Sequence, residues 1–239
     1  EPVQLSGTIV KRASLHNAEQ MALLDIHVGD YVYVEKGGEI IPKITGVELS
    51  QRTDDVTLPH FPTHCPDCGT ELIKDEEEAK HFCPNSDFCP PQIKGKFIHF
   101  VGRKAMDINA GEATIEQLYN KGYINVLSDL YSLDAGKLLT LDKWKEKSVA
   151  NFLDSLEKSR KVPFERVLFA LGIRYVGETV AKKLAFAFGS MQALSVASRE
   201  ELIAVDEIGE RIADSLIDYF DNMQNMQLVE RLAAFGVKM

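Results

Sequence analysis

The chain has little of what marks secreted, fibrous or membrane proteins: four cysteines, one tryptophan, nine prolines and no low-complexity tract in 239 residues. So few cysteines exclude a disulfide-dense secreted scaffold. The longest apolar stretches, such as Val167 to Ile173, fall far short of the roughly 20 residues that cross a bilayer. Glu1-Pro2 is no initiator methionine, and neither a basic nor an apolar leader follows it, so a piece cut from a longer protein is expected. The length suits two or three small domains. A surplus of basic charge is also missing, since 36 acidic side chains face 27 basic ones for a net charge of −9. The imbalance is local. Residues 1–93 hold 16 acidic and 7 basic side chains, densest at Asp75 to Glu78, whereas residues 94–239 hold 20 of each. The net charge therefore neither supports nor excludes a polyanionic partner for the back part.

What is present is organised around Cys65-Pro66-Asp67-Cys68, answered by Cys83 and Cys89. The C-x2-C spacing lets a tight turn aim two thiolates at one ion, and Pro66 and Gly69 suit such a turn. The second pair, with five residues between its members, is looser than usual. Two disulfides are the alternative, but they need an oxidising compartment. Structural zinc on Cys65, Cys68, Cys83 and Cys89 is the expectation. His64 and His81 sit beside cysteines and could replace one, although four thiolates already close a tetrahedral site and leave no place for a reactive water.

Ahead of the cysteines the chain reads as short strands. Leu5 to Lys11 reads as one strand with Gly7 as a bulge, His16 to Leu24 as a short helix, and Val28-Gly29-Asp30 as a turn. Tyr31 to Lys36 alternates, with Val32 and Val34 on one face and Tyr31 and Tyr33 on the other. Gly37-Gly38 predicts a hairpin turn into Glu39 to Leu49. These strands suggest a small β-barrel and are too few to close one.

Behind the cysteines the pattern turns helical and repeats. Ala110-Gly111-Glu112, Trp144-Lys145-Glu146, Val176-Gly177-Glu178 and Ile208-Gly209-Glu210 align, their glutamates 34, 32 and 32 residues apart. Each lies between two apolar helical stretches, such as Phe164 to Leu171 and Thr179 to Phe188, which makes four helix–hairpin–helix repeats. A glycine entering a helix is expected to take positive φ and to leave its backbone bare. The N–H groups of the turn and helix end then suit a phosphate oxygen. Packed helical pairs with glycine caps, binding nothing, are the plainer alternative, and four copies in register favour binding to a DNA backbone through Gly111, Gly177 and Gly209. The second copy has Lys143 and Lys145 where glycines would stand, and the first is short on its N-terminal side.

This order of parts resembles the C-terminal half of bacterial NAD-dependent DNA ligase. The resemblance covers essentially the whole chain. It is carried by Arg12-Ala13-Ser14-Leu15-His16-Asn17, Val28-Gly29-Asp30, Gly38-Glu39-Ile40-Ile41-Pro42, Pro62-Thr63-His64-Cys65-Pro66, Arg103-Lys104-Ala105-Met106-Asp107 and Ala170-Leu171-Gly172-Ile173-Arg174-Tyr175-Val176-Gly177-Glu178. It implies a multidomain α+β protein: an OB-fold lacking its first strand over residues 1–60, a four-cysteine zinc finger over 61–93 and a helix–hairpin–helix domain over 94–239. Lys36 and Ile40-Ile41 would face the duplex, and Gly37 stands where an alanine is usual.

The same resemblance implies a parent enzyme that seals single-strand nicks during replication and repair, through an enzyme–AMP and then a DNA–adenylate. It also implies nicked double-stranded DNA and an upstream adenylation domain as partners, no membrane, and a cytoplasmic, nucleoid-associated location. That family attacks NAD with the lysine of a Lys-x-Asp-Gly motif, and this chain contains no Asp-Gly pair. No catalytic residue is expected here, NAD and magnesium are expected for the full-length enzyme only, and the portion alone should be inactive. The family continues into a BRCT domain beyond the equivalent of Met239. Two rival readings are a stand-alone helix–hairpin–helix scaffold of DNA repair and a zinc-stabilised protein-interaction module with no affinity for DNA.

Overall fold

A computed structural model describes residues 2–5, 7–36, 41–74 and 79–239. The Gly37-Gly38 turn, Glu39, Ile40 and the acidic run Asp75 to Glu78 lie outside the described residues. The chain divides into two compact units, Glu1–Cys89 and Pro90–Met239.

The front unit opens with strands β1 (Val3–Leu5) and β2 (Thr8–Val10), paired antiparallel with Leu5 opposite Thr8. The single bulged strand expected over Leu5 to Lys11 is thus a hairpin. Gly7 has φ 76°, and a left-handed residue in a two-residue loop reverses the chain where a bulge would only bend it. Helix α1 (Ala18–Leu23) follows, capped by Asn17, whose side chain accepts from the Gln20 N–H. Strands β3 (Val32–Glu35) and β4 (Lys43–Val47) pair antiparallel, with an irregularity between Tyr33 and Val34. Val32 and Val34 are half-buried while Tyr33 and Glu35 are exposed, the alternation expected from the sequence. Strands β5 (Ile73–Lys74) and β6 (His81–Phe82) form a third ladder, so the described strands make three two-stranded sheets.

This unit buries little. Its buried apolar residues among those described are Val10, Ile26, Cys65 and Cys89. A core so small needs staples. One is an ion cluster around the Val28-Gly29-Asp30 turn. The Asp30 carboxylate accepts from Arg52 Nε at 2.9 Å, Arg52 Nη2 at 2.8 Å and the His27 N–H at 2.7 Å, and Arg52 Nη1 reaches Asp25 at 2.8 Å. Val28 and Thr57 exchange backbone hydrogen bonds beside it. The four cysteines are the other staple.

The back unit is helical: α2 (Pro90–Val101), α3 (Glu112–Asn120), α4 (Ala135–Leu139), α5 (Glu146–Ser159), α6 (Phe164–Ala170), α7 (Glu178–Phe188), α8 (Met191–Ser195), α9 (Arg199–Ile203), α10 (Glu210–Asp221) and α11 (Met223–Ala234). One apolar core runs through it, with Phe97, Phe100, Phe152, Leu168, Leu184, Leu216 and Leu232 essentially inaccessible. A contiguous core of this size makes each such side chain worth about 2–5 kcal/mol against truncation to alanine. Among the described residues no helix is long and apolar enough to cross a membrane.

Candidate metal centre and nucleic-acid interface

Two backbone knuckles bring the cysteines together. In the first, the Cys65 N–H donates to the Thr70 carbonyl at 2.8 Å and the Gly69 N–H returns to the Cys65 carbonyl at 2.9 Å. Gly69 takes φ 71°, a left-handed conformation that glycine adopts without steric cost. The second knuckle spans five intervening residues and still closes. Asn85 folds it, its side chain accepting from the Phe88 N–H at 3.2 Å and its carbonyl from the Cys89 N–H at 3.1 Å. The wider spacing is therefore taken up by an internal turn.

All four sulfurs lie within 4.8 Å of one another, with Cys65 Sγ to Cys89 Sγ at 3.8 Å and Cys68 Sγ to Cys83 Sγ at 3.5 Å. Tetrahedral zinc with Zn–S bonds of about 2.3 Å sets sulfurs about 3.8 Å apart, whereas a disulfide needs about 2.05 Å. The cysteines are free thiols and fit zinc. Thr70 hydroxyl, 3.2 Å from Cys68 Sγ, helps pull that thiol down to about 6, while burial pushes Cys83 up. A thiolate at Cys68 is thus prepared, and an ion would deprotonate its neighbours. Among the described residues the group that could hold an ion comprises the four cysteines and neither histidine, although the buried Nδ1 of His81 has no hydrogen-bond partner. His64 Nδ1 lies 3.0 Å from the Thr63 hydroxyl, and the His81 ring packs on Phe61 with centroids 4.8 Å apart.

The helical repeat is visible in the backbone itself. In the second, third and fourth hairpins the residue before the helix cap donates three residues back: Trp144 to Leu141 at 3.2 Å, Val176 to Ile173 at 3.0 Å and Ile208 to Val205 at 3.0 Å. Inside each four-residue turn the third residue is left-handed: Lys143, Tyr175 and Glu207 have φ of 65°, 66° and 64°. The first hairpin departs, its left-handed residue being Asp107 and its Ala110 N–H donating to Ile108.

This corrects one expectation. Gly111, Gly177 and Gly209 have φ of −97°, −78° and −84°, which any residue adopts. Before Gly177 and Gly209 the positive φ lies two residues earlier, because the i→i+3 bond closes the turn before the chain enters the helix, and before Gly111 it lies four residues earlier, at Asp107. A Cβ added to any of the three glycines would meet no atom within 4 Å. The residue three after each glutamate is buried instead, as Ile115, Val149, Ala181 and Ala213 show, and this lets the helix pack inward.

The hairpin helices also share what they lack. Gly111, Lys145, Gly177 and Gly209 give no side-chain cap to α3, α5, α7 and α10. Asn17, Asp134, Ser190, Ser198 and Asn222 cap α1, α4, α8, α9 and α11 by side chain, and Pro163 gives the short α6 no such cap. An uncapped N-terminus presents N–H groups and the positive end of the helix dipole. Nearby carboxylates are partnered by cations. Glu178 takes Lys104 at 3.0 Å and Lys182 at 3.1 Å, and its carboxyl is held below its ordinary range by the Lys104 hydrogen bond first. Glu210 has Arg199 at 3.4 Å, and Asp206 and Glu207 share Lys183 at 2.8 and 2.9 Å.

Lys36 sits at the end of β3, half-buried, and donates to the Thr8 hydroxyl at 3.0 Å. Sequence reasoning missed Arg174, Tyr175 and Arg211, where two guanidiniums lie over one ring. Arg174-Tyr175 inside a hairpin turn was the available signal, but Arg211 belongs to the next repeat.

A four-thiolate module followed by helix–hairpin–helix repeats defines a zinc-finger, helix–hairpin–helix protein. Comparison with known proteins narrows the class. The family model for the NAD-dependent DNA ligase OB-fold domain matches residues 1–56, that for the NAD-dependent DNA ligase C4 zinc finger domain matches 64–90, and that for the helix-hairpin-helix motif matches 166–229. A DNA ligase of Parabacteroides distasonis is 58% identical over the whole chain, one of Phocaeicola vulgatus 54% and one of Flavobacterium johnsoniae 53%. The chain spans 36% of the length of each of these curated relatives. Over the portion it spans, it belongs to the NAD-dependent DNA ligase family.

Proposed function

We propose that the chain is the DNA-gripping portion of an enzyme that seals nicks in duplex DNA at the expense of NAD. The observation that carries this reading is the set of glycine-capped helix starts at Gly111, Gly177 and Gly209, bare of side-chain caps and open to an approaching group. A phosphate diester fits such a site, since backbone N–H groups bind its oxygens without reading base identity. Lys36 and the glycines are the proposed DNA contacts. Cys65, Cys68, Cys83 and Cys89 would hold a zinc ion, which supplies folding energy and no chemistry. The proposed division is an OB part over 1–60, a zinc finger over 61–93 and the repeats over 94–239.

In this reading the chain positions the nick, and adenylation belongs to a domain outside it, with NAD and magnesium bound there. Holding both ends of a nick in line replaces an encounter of separate reactants with a fixed geometry. The whole enzyme would work in the cytoplasm at the nucleoid. Fluorescence anisotropy on labelled nicked and intact duplex at two salt concentrations tests the reading. Salt-dependent binding that favours the nicked duplex supports it, and absence of binding at low salt removes it. Incubation with labelled NAD should leave the chain unlabelled, since it has no Lys-x-Asp-Gly.

A further inference from the structure

The second hairpin keeps the turn of its neighbours and changes its chemistry. Its Trp144 N–H donates to the Leu141 carbonyl at 3.2 Å, as the third and fourth hairpins close at Ile173 and Val205. Lys143 and Lys145 stand where the third has Tyr175 and Gly177 and the fourth has Glu207 and Gly209, and Lys147 follows one residue beyond the shared glutamate. The turn is anchored from two sides. Trp144, between the first two lysines, is half-buried against the core with its ring centroid 5.6 Å from that of Phe152. The Gln117 side chain of α3 accepts from the Asp142 N–H at 2.6 Å. Lys143, Lys145 and Lys147 are all exposed.

Charge sets this hairpin apart. Residues 142–147 hold three lysines and two carboxylates, whereas the matching residues 206–211 hold one arginine and three carboxylates. Around the third and fourth hairpins, Lys104 and Lys182 are committed to Glu178, Lys183 to Asp206 and Glu207, and Arg199 to Glu210 and Asp214. Among the described residues none of Lys143, Lys145 and Lys147 has an ion-pair partner within 4.0 Å. Lys145 and Lys147 also stand at the positive end of the α5 dipole, which disfavours cations. Neither ion pairing nor the helix accounts for them, and exposed cations left unneutralised on an anchored turn suit a polyanion. The two kinds of hairpin would hold phosphate differently. A backbone N–H binds a phosphate oxygen and leaves its charge in place, whereas a lysine neutralises it and releases condensed counterions.

We propose that the second hairpin meets the DNA backbone through the side chains of Lys143, Lys145 and Lys147, where the third and fourth offer bare backbone, and that it carries a salt-sensitive share of the grip. The proposal rests on the DNA-gripping reading above and adds side-chain contacts to its backbone ones.

The test is an anisotropy titration of labelled nicked duplex across a series of salt concentrations, using the 239-residue chain and its variants. Lys143→Gln, Lys145→Gln and Lys147→Gln together should weaken binding at least roughly tenfold. They should also flatten the slope of log affinity against log salt by at least about 0.9, the share of one neutralised phosphate. The Tm should not fall, because the three ammonium groups have no ion pair to lose. Arginine at the same three places keeps the charge and should keep the parent's slope. Lys121→Gln, Lys161→Gln and Lys238→Gln together remove as much charge from exposed places elsewhere on the helical unit and should change affinity and slope far less. Equal loss in the two glutamine triples would make the effect one of net charge and overturn the assignment. Weakening with an unchanged slope and a lowered Tm would make the lysines structural and likewise overturn it. Parent affinity and slope in the second-hairpin triple, beside loss of binding in Gly177→Asp, overturn it too and leave the hairpin reading standing. If the parent itself does not bind, both readings fall.

Discussion

Lys145 and Gly177 hold the same place in successive hairpins: each is the residue before a helix, with φ of −136° and −78° and ψ of 173° and 178°. One carries a long side chain and the other none, on the same extended backbone. The fold therefore does not demand glycine there, and neither does packing, since a Cβ on Gly177 or Gly209 would enter open space. A requirement for bare backbone must come from whatever approaches the turn.

That separates stability from binding. Asp at Gly177 or Gly209 would accept from N–H groups of its own helix start and suit the dipole there, so Gly177→Asp and Gly209→Asp should be neutral or stabilising by a few tenths of a kcal/mol. The same carboxylate would occupy the phosphate position. Each variant should keep the parent's thermal melt and lose roughly tenfold in affinity for nicked duplex, the worth of one charge-assisted contact. The uncharged Gly177→Ser should lose less. If Gly177→Asp binds duplex as the parent does, the repeats are a scaffold.

The true left-handed site gives the opposite substitution. Lys143 has φ 65° in the second hairpin. Relieving a left-handed L-residue gains about 1–2 kcal/mol, and the added chain entropy of glycine takes back about 0.5–1. Lys143→Gly should therefore raise the Tm of the helical unit by up to about 4 °C, and Lys143→Val should lower it. Calorimetry reads both, and an unchanged Tm in the pair would show that the turn relaxes around its third residue.

The torsions explain what was and was not legible in the sequence. The four-cysteine site was legible because Cys65 and Cys68 sit in a local turn whose Pro66 and Gly69 announce it. The repeats were legible because spacing survives whatever occupies the turn. The position of the left-handed residue was not, since Lys, Tyr and Glu at 143, 175 and 207 carry no signal for positive φ and the closing hydrogen bond imposes it. Nor was the hairpin at Gly7, where apolar residues on both sides read as one strand. The Arg211 contact with Tyr175 joins two repeats, and no local pattern contains it.

Zinc removal should act on the front unit alone. That unit has few buried apolar residues among those described, while the helical unit has a continuous core of its own. Metal analysis should find one zinc per chain. Chelation, or Cys83→Ala, should deprotect backbone amides around Cys65–Thr70 and Asn85–Cys89 while the far-UV helical signal persists. Loss of helix in step with loss of zinc would contradict this division, and a stoichiometry near zero would remove the metal.

Acid should weaken the front unit through Asp30. Its side chain is 1% exposed and accepts from Arg52 and the His27 N–H, and the Arg52 hydrogen bonds hold its carboxyl below the ordinary carboxylate range. A carboxyl whose pKa is depressed by folding contributes its stability above the unfolded value, about 3.9, and loses it as pH falls through the lower folded value. Zinc release at low pH would also loosen this unit, so the parent's acid limb alone does not isolate Asp30. The difference between parent and Asp30→Asn does, because both carry the same cysteines. Hydrogen exchange over residues 25–34, read by mass spectrometry, should show the variant opening more readily than the parent at pH 7. The gap should hold down to about pH 5 and shrink steadily below pH 4, where the parent's carboxylate gains its proton. A gap as wide at pH 3 as at pH 7 would mean that Asp30 acts there by shape and hydrogen bonding, and that its charge contributes nothing to the Arg52 cluster.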